Sequence, residues 1–410
     1  SSGATAVLGQ GSADQVLTSD GTDISWEDAS GGGISGLTGL VETNSIWLGS
    51  DPSGTTDSAD YNVALGTTAL DSITTADSNV ALGYAALTAS TTGGYNVAVG
   101  ANSLDALTTG STNVAVGQNS LGATTTGGDN VAVGQSALLV ATTASNNVAV
   151  GSYVLDANSS GTANVGMGKN ALTANTTGSY NTGLGAYALE ATTTSDNNTA
   201  VGYQALDANT TGSTNTAVGS RSLSAMTTGA GSTAVGDRAL TANTTGNYNT
   251  AVGSLALSSN TTASYNNAFG YNCLAACTTG AYNDAFGYIC LDSLTTGNSN
   301  VMFGYNTGTS ITTGGTNTAF GAGAMAAVST ASHNTALGSN AYISGTGAQN
   351  IAIGRNAYYA THTGNDCVGI GSFCFTTLTG GCSNIAIGTY SSDALTTGSE
   401  NVALGYSTLS

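Results

Sequence analysis

The chain has 410 residues, with 59 Gly, one Pro, 7% charged residues and a formal net charge of −19. Its four basic residues, Lys169, Arg221, Arg238 and Arg355, form no cluster that could grip a phosphate backbone, and an anionic bilayer surface repels so acidic a chain. Neither nucleic acid nor membrane insertion is therefore expected, and no apolar run reaches the length of a span.

Residues 1–44 lack the regularity of the rest of the chain. The stretch "QVLTSDGTDISWED" (15–28) has two alternating apolar runs around Asp20-Gly21, a strong hairpin signal, and "SGGGISG" (30–36) reads as a flexible joint. This segment is expected to be a small hairpin adaptor leading into a long shaft over 45–410. "SIWLG" (45–49) is a weak first copy of the motif that becomes regular from residue 62.

From Asn62 the chain repeats with a period of 17 residues as far as Asn334. One step of 16 then leads to Asn350, and 17 resumes at Cys367, Asn384 and Asn401. A representative unit is "NTAVGYQALDANTTGST" (198–214), numbered here from position 1, its Asn. Position 5 is Gly in every copy, from Gly66 to Gly405. Position 3 is nearly always Ala, and position 4 is always large and apolar. Position 9 is Leu from Leu70 to Leu291 and then loosens to Met325, Tyr342, Tyr358 and Phe375. A fixed short period of this kind signals a solenoid. Val- and Thr-rich runs bounded by Gly favour strand over helix, where a Gly in every turn would be costly.

The fold class expected is therefore all-β, a parallel β-solenoid of about 21 coils, each with two short strands and two turns. At ~4.8 Å per coil the rod spans roughly 100 Å. Period-2 alternation puts positions 2 and 4 on one face and positions 3 and 5 on the other. The size contrast points the large residues inward and leaves a flat Ala/Gly face. A coil with so thin a core is expected to share its interior with other copies across that small face, as a homotrimer. Where position 4 becomes Phe (Phe269, Phe286, Phe303, Phe320), ring volume is expected to replace the Leu lost at Gly308. The Asn at position 1 reads as a ladder, each amide bonding the coil above.

Reactive chemistry is sparse. Acidic residues recur at position 10 (Asp71, Asp105, Asp156, Glu190, Asp207, Asp292, Asp393), one per coil and spread along the rod, which suits a solvated turn better than paired catalytic carboxylates. His333 and His362 are isolated. The six Cys all lie between 273 and 382 without metal spacing, and they read as small buried thiols. No catalytic, cofactor-binding or metal-binding residues are assigned, and no enzyme is expected. Position 13 and 14 Thr columns raise ice binding as a minor alternative. Adjacent strand residues point opposite ways, so only one of those columns could face outwards.

With these residues in view, "NTAVGYQAL" and "NTTGSTNTAVG" resemble the repeats of bacteriophage tail fibres, and "GSADQVLTSDGTDISWEDA" resembles linker segments in such fibres. The "NVAVG" strand is also similar to that in trimeric autotransporter adhesin heads. The resemblance implies a homotrimeric fibre shaft on a virion, outside the cell. It would be held by other appendage proteins at its N-terminal end and would present a host-receptor-binding tip, expected beyond residue 410. A bacterial cell-surface adhesin is the alternative it leaves open.

Overall fold

The computed structural model describes residues 59–409 continuously, and before them the strands β1 (Gln15–Ser19), β2 (Ile24–Asp28), β3 (Gly39–Glu42) and β4 (Ser45–Gly49). β1 and β2 pair antiparallel, with Gln15 opposite Asp28 and Ser19 opposite Ile24. The Asp20-Gly21 turn itself and the Gly-rich joint lie outside the described residues. β3 pairs antiparallel with β4, and β4 pairs in parallel with β5 (Val63–Gly66), Ile46 opposite Val63. The weak copy "SIWLG" thus starts the sheet that the repeats continue.

Among the described residues the shaft is an all-β parallel solenoid of about 21 turns with no helix. Each coil adds one three-residue strand at positions 2–4, paired in register with the next, as Thr199, Ala200 and Val201 pair with Thr216, Ala217 and Val218. The expected second strand is absent from the regular coils. Positions 6–11 are turns, with positions 7 and 9 in the left-handed region, for example Gln204 at φ 52° and Leu206 at φ 52°. Two left-handed residues in three cannot make a strand. A second ladder appears only around the shortened repeat, where Ala327–Val328 pairs with Ser344–Gly345.

The structure also corrects which strand face is inside. Position 3 is fully buried, with Ala200 and Ala217 at 0% exposure, while position 4 is part-exposed to exposed and Met167 reaches 48%. The core of a coil is its position 3 Ala, the position 8 Ala or Ser, the position 9 Leu and the residue at position 12. Leu enters this space from the turn and fills it, which leaves room for only a methyl from the strand. The expectation that copies meet across the small Ala/Gly face therefore fails, because each chain buries that face in its own core.

Exceptions in the columns show how tight this packing is. Position 8 is Val154 in one coil, and the next strand carries Gly166, where a Cβ would stand 2.4 Å from Val154 Cγ1. Where position 9 becomes Gly308, the strand residue is Met302, fully buried, and its sulfur lies 3.3 Å from where a Gly308 Cβ would be. Met302, not the Phe column, replaces the lost Leu. Phe303 and its neighbours sit on the opposite face, so the ring-for-Leu compensation expected from sequence does not occur.

The Asn column forms the ladder expected of it. Asn283 donates its backbone N–H (2.9 Å) and Nδ2 (3.1 Å) to Asn266 Oδ1, and Nδ2 also donates to Gly297 O at 3.0 Å within its own coil. Its own Oδ1 accepts the N–H and Nδ2 of Asn300, each at 3.0 Å. Where Ser232 replaces Asn, its hydroxyl still accepts the Asn249 N–H at 3.2 Å. At Cys367 the sulfur accepts the Asn384 N–H at 3.4 Å.

Near the short repeat the Leu column gives way to Tyr342, Tyr358 and Phe375, all buried, with His362 stacked 5.1 Å from the Tyr358 ring. Both His362 nitrogens are buried without a hydrogen-bond partner. Burial lowers the His362 pKa below its ordinary value, and the nearby Leu378 backbone offsets only part of this. The folded chain then binds fewer protons than the unfolded chain once pH falls below about 6.5, the ordinary imidazole value. The stability of these coils is thus intact above that pH and declines below it. Hydrogen-exchange protection factors across 334–384, taken relative to the intrinsic rate at each pH, should fall between about pH 7 and about pH 5, the range in which an imidazole takes up its charge. His362→Phe, which keeps the stack and removes the proton site, should abolish that response. An unchanged pH response in the variant would show that other groups set it.

Candidate functional surface

The outer side of the shaft is built from positions 2, 4, 6, 10, 14 and 17. Position 14 Thr residues are exposed, whereas position 13 hydroxyls are committed inside the stack. Thr91 donates to Thr108 O at 3.1 Å and Thr108 to Thr125 O at 3.0 Å. As expected, the Thr-Thr pair offers one free column.

In the coils spanning 248–320 three aromatic ladders run along the rod. Phe269, Phe286, Phe303 and Phe320 stack at centroid spacings of 4.6, 4.4 and 4.7 Å. Tyr271, Tyr288 and Tyr305 follow at 5.4 and 5.7 Å, and Tyr248, Tyr265 and Tyr282 at 5.5 and 5.1 Å. The Phe spacings report the coil rise directly, since ring follows ring at the inter-strand distance. Stacking covers the ring faces and leaves the edges outward, so these ladders offer no flat platform on which a sugar ring could lie. Tyr84, Tyr95 and Tyr180 are exposed elsewhere on the rod.

The acidic column does not assemble a site. Asp105, Asp156 and Asp207 lie three coils apart, ~14 Å by the strand spacing, and Glu190 stands one coil from Asp207. The three Asp side chains are half-buried rather than fully solvated, and desolvation raises the pKa of each, as it does for Asp292. The Glu190 charge adds to the rise at Asp207. Gly122, at the same column, leaves a shallow hollow lined by Asn102, Asp105, Asn119, Leu139 and Val140. Five Cys are buried and Cys382 is partly exposed, all as free thiols. Burial pushes Cys277 up to about 11 and Cys374 up to about 12. For Cys290 the hydrogen bond with Cys273 and then burial act in the same direction. Such thiols are poor nucleophiles at neutral pH. His333 and His362 belong to different coils, and among the described residues no group of three His, Cys, Asp or Glu is placed to hold a metal ion.

What sequence reasoning missed is the outward strand face. Positions 2 and 4 carry mostly Val-x-Val, Thr-x-Val or Ile-x-Ile along the shaft, and position 4 is Phe in the four coils from Phe269 to Phe320. Leu65, Val133, Met167, Val218, Leu337 and Ile387 are all more than a third exposed. The invariably apolar position 4 column is the signal for this face in the sequence, but size contrast assigns it to the core. Comparison with protein-family models, characterised proteins and solved structures finds no match to this chain.

Proposed function

We propose that this chain is the shaft of an extracellular fibre, of the bacteriophage tail-fibre kind, which holds a host-binding tip away from the particle. On this reading it works as a homotrimer, is joined through residues 1–44 to other appendage proteins, and does no catalysis. The observation that carries the proposal is the shaft itself, in which about 21 in-register coils build length.

Length without local chemistry suits a spacer. Removing residues 113–180, four whole coils, should shorten the fibre by ~19 Å, from ~4.8 Å per coil, and leave host adsorption intact. Antibody against 198–214 should decorate appendages on purified particles in electron micrographs. Loss of adsorption in the shortened fibre would move the receptor site into the shaft. Decoration of cell envelopes instead of particles would make the protein a cell-surface adhesin.

A further inference from the structure

The outward face of the strand ladder is a seam for a second copy of this chain, we infer, lying lengthwise against it coil upon coil. This deepens the fibre reading by naming the surface through which copies associate, and it stands on geometry that does not depend on where the fibre is mounted.

The first ground is the composition of the face. Position 4 is apolar in all of the roughly 21 coils: Val, Leu, Ile, Met or Phe, with no Thr, Tyr, Ser or charged residue. Strand propensity alone would admit Thr and Tyr as readily as Val. The other outward columns do hold polar residues, so exposure alone does not explain position 4. Of all the charged side chains in the chain, only Asp284 sits at position 2 or 4, and it is engaged by Asn267 Nδ2 at 2.7 Å. A one-sided sheet facing water alternates apolar-in with polar-out. Here the outward position 4 column is apolar in every coil, while position 2 beside it is Thr, Asn or Asp from Thr182 to Asp284 and at Thr318 and Thr335.

The second ground is area. A strip ~100 Å long and ~10 Å wide presents about 1,000 Å² per chain, against about 800 Å² per partner in a standard stable interface. The third is pitch. A strip that repeats once per coil along the whole rod matches, over its full length, only a surface with the same rise, and another copy of the chain has that rise. The Phe rings, with faces stacked and edges outward, offer a ridge for such packing.

Sedimentation equilibrium of the full chain tests the seam. The expected mass is a whole-number multiple of 39.8 kDa, three under the trimeric reading. Val133→Lys, Val218→Lys and Leu337→Lys combined place three charges on the seam at exposed, well-separated sites, and should return the mass to one chain with an unchanged circular dichroism spectrum. Thr126→Lys, Thr211→Lys and Thr330→Lys add the same charge on the exposed position 14 column and should leave the multiple intact. A wild-type chain that sediments singly at micromolar concentration overturns the inference. So does a seam variant that stays associated, or a control that falls apart equally.

Discussion

Replacing Gly202 with alanine should break the stack locally, at a cost above about 4 kcal/mol, the range reserved for disrupted backbone or core. Two effects add. Gly202 has φ +135°, a conformation that L side chains rarely adopt, which costs of order 1–3 kcal/mol by itself. A Cβ there would also lie 2.6 Å from Gly219 O and 2.7 Å from Gly219 C, which are backbone atoms of the next coil held by the ladder. Neither can move without parting Val201 from Val218. Gly122→Ala is the matched control. Its added methyl meets nothing closer than 3.3 Å, a carboxylate oxygen of Asp105 that can turn away, so the change should lie within about 1 kcal/mol of neutral. Limited proteolysis should reveal a new cleavage near 202 in the first variant alone. Equal resistance of the two would mean the glycine column does not set the coil spacing.

The same column explains why so much of the architecture is legible in the sequence. In-register stacking forces each coil to solve one backbone problem at one position, so Gly at position 5 and Asn at position 1 recur with the period and announce the solenoid. The inside of the strand is harder to read. Each face carries a column that is apolar in every coil, position 3 on one and position 4 on the other, and size contrast alone favours burying Val over Ala. Only the turn geometry reverses that choice, since left-handed residues at positions 7 and 9 swing Leu206 and its equivalents into the space beneath the strand. Leu is not a residue that advertises φ > 0, so nothing in its identity marks the turn. The misplaced Phe column and the expected second strand that does not form both come from this one inversion. It also hides the outward apolar face, because residues assigned to the core cannot be seen as a surface.

Asn283→Ala should be the most damaging change to a side chain in the ladder, at roughly 2–6 kcal/mol, from about 1–3 kcal/mol for each of two buried polar groups left unpartnered. The two groups are the Asn300 N–H, which loses Oδ1 at 3.0 Å, and Gly297 O, which loses Nδ2 at 3.0 Å. Neither can turn to water, because Asn283 and Asn300 are fully buried. Asn300 Nδ2 retains Gly314 O at 3.0 Å, so the ladder is interrupted at a single rung. Asn283→Ser should recover part of the loss, since Ser232 already serves as a rung and its hydroxyl accepts the next coil's N–H. It restores the acceptor for the strand above but cannot reach the carbonyl of its own coil. The expected order of stability is wild type, then Ser, then Ala, with hydrogen exchange quickened mainly at 283–300, because a stacked coil contacts only its neighbours. If Ser and Ala proved equally disruptive, the acceptor half of the amide would carry little of the ladder's energy, and the bond to Gly297 O, internal to the coil, would be what the Asn column supplies.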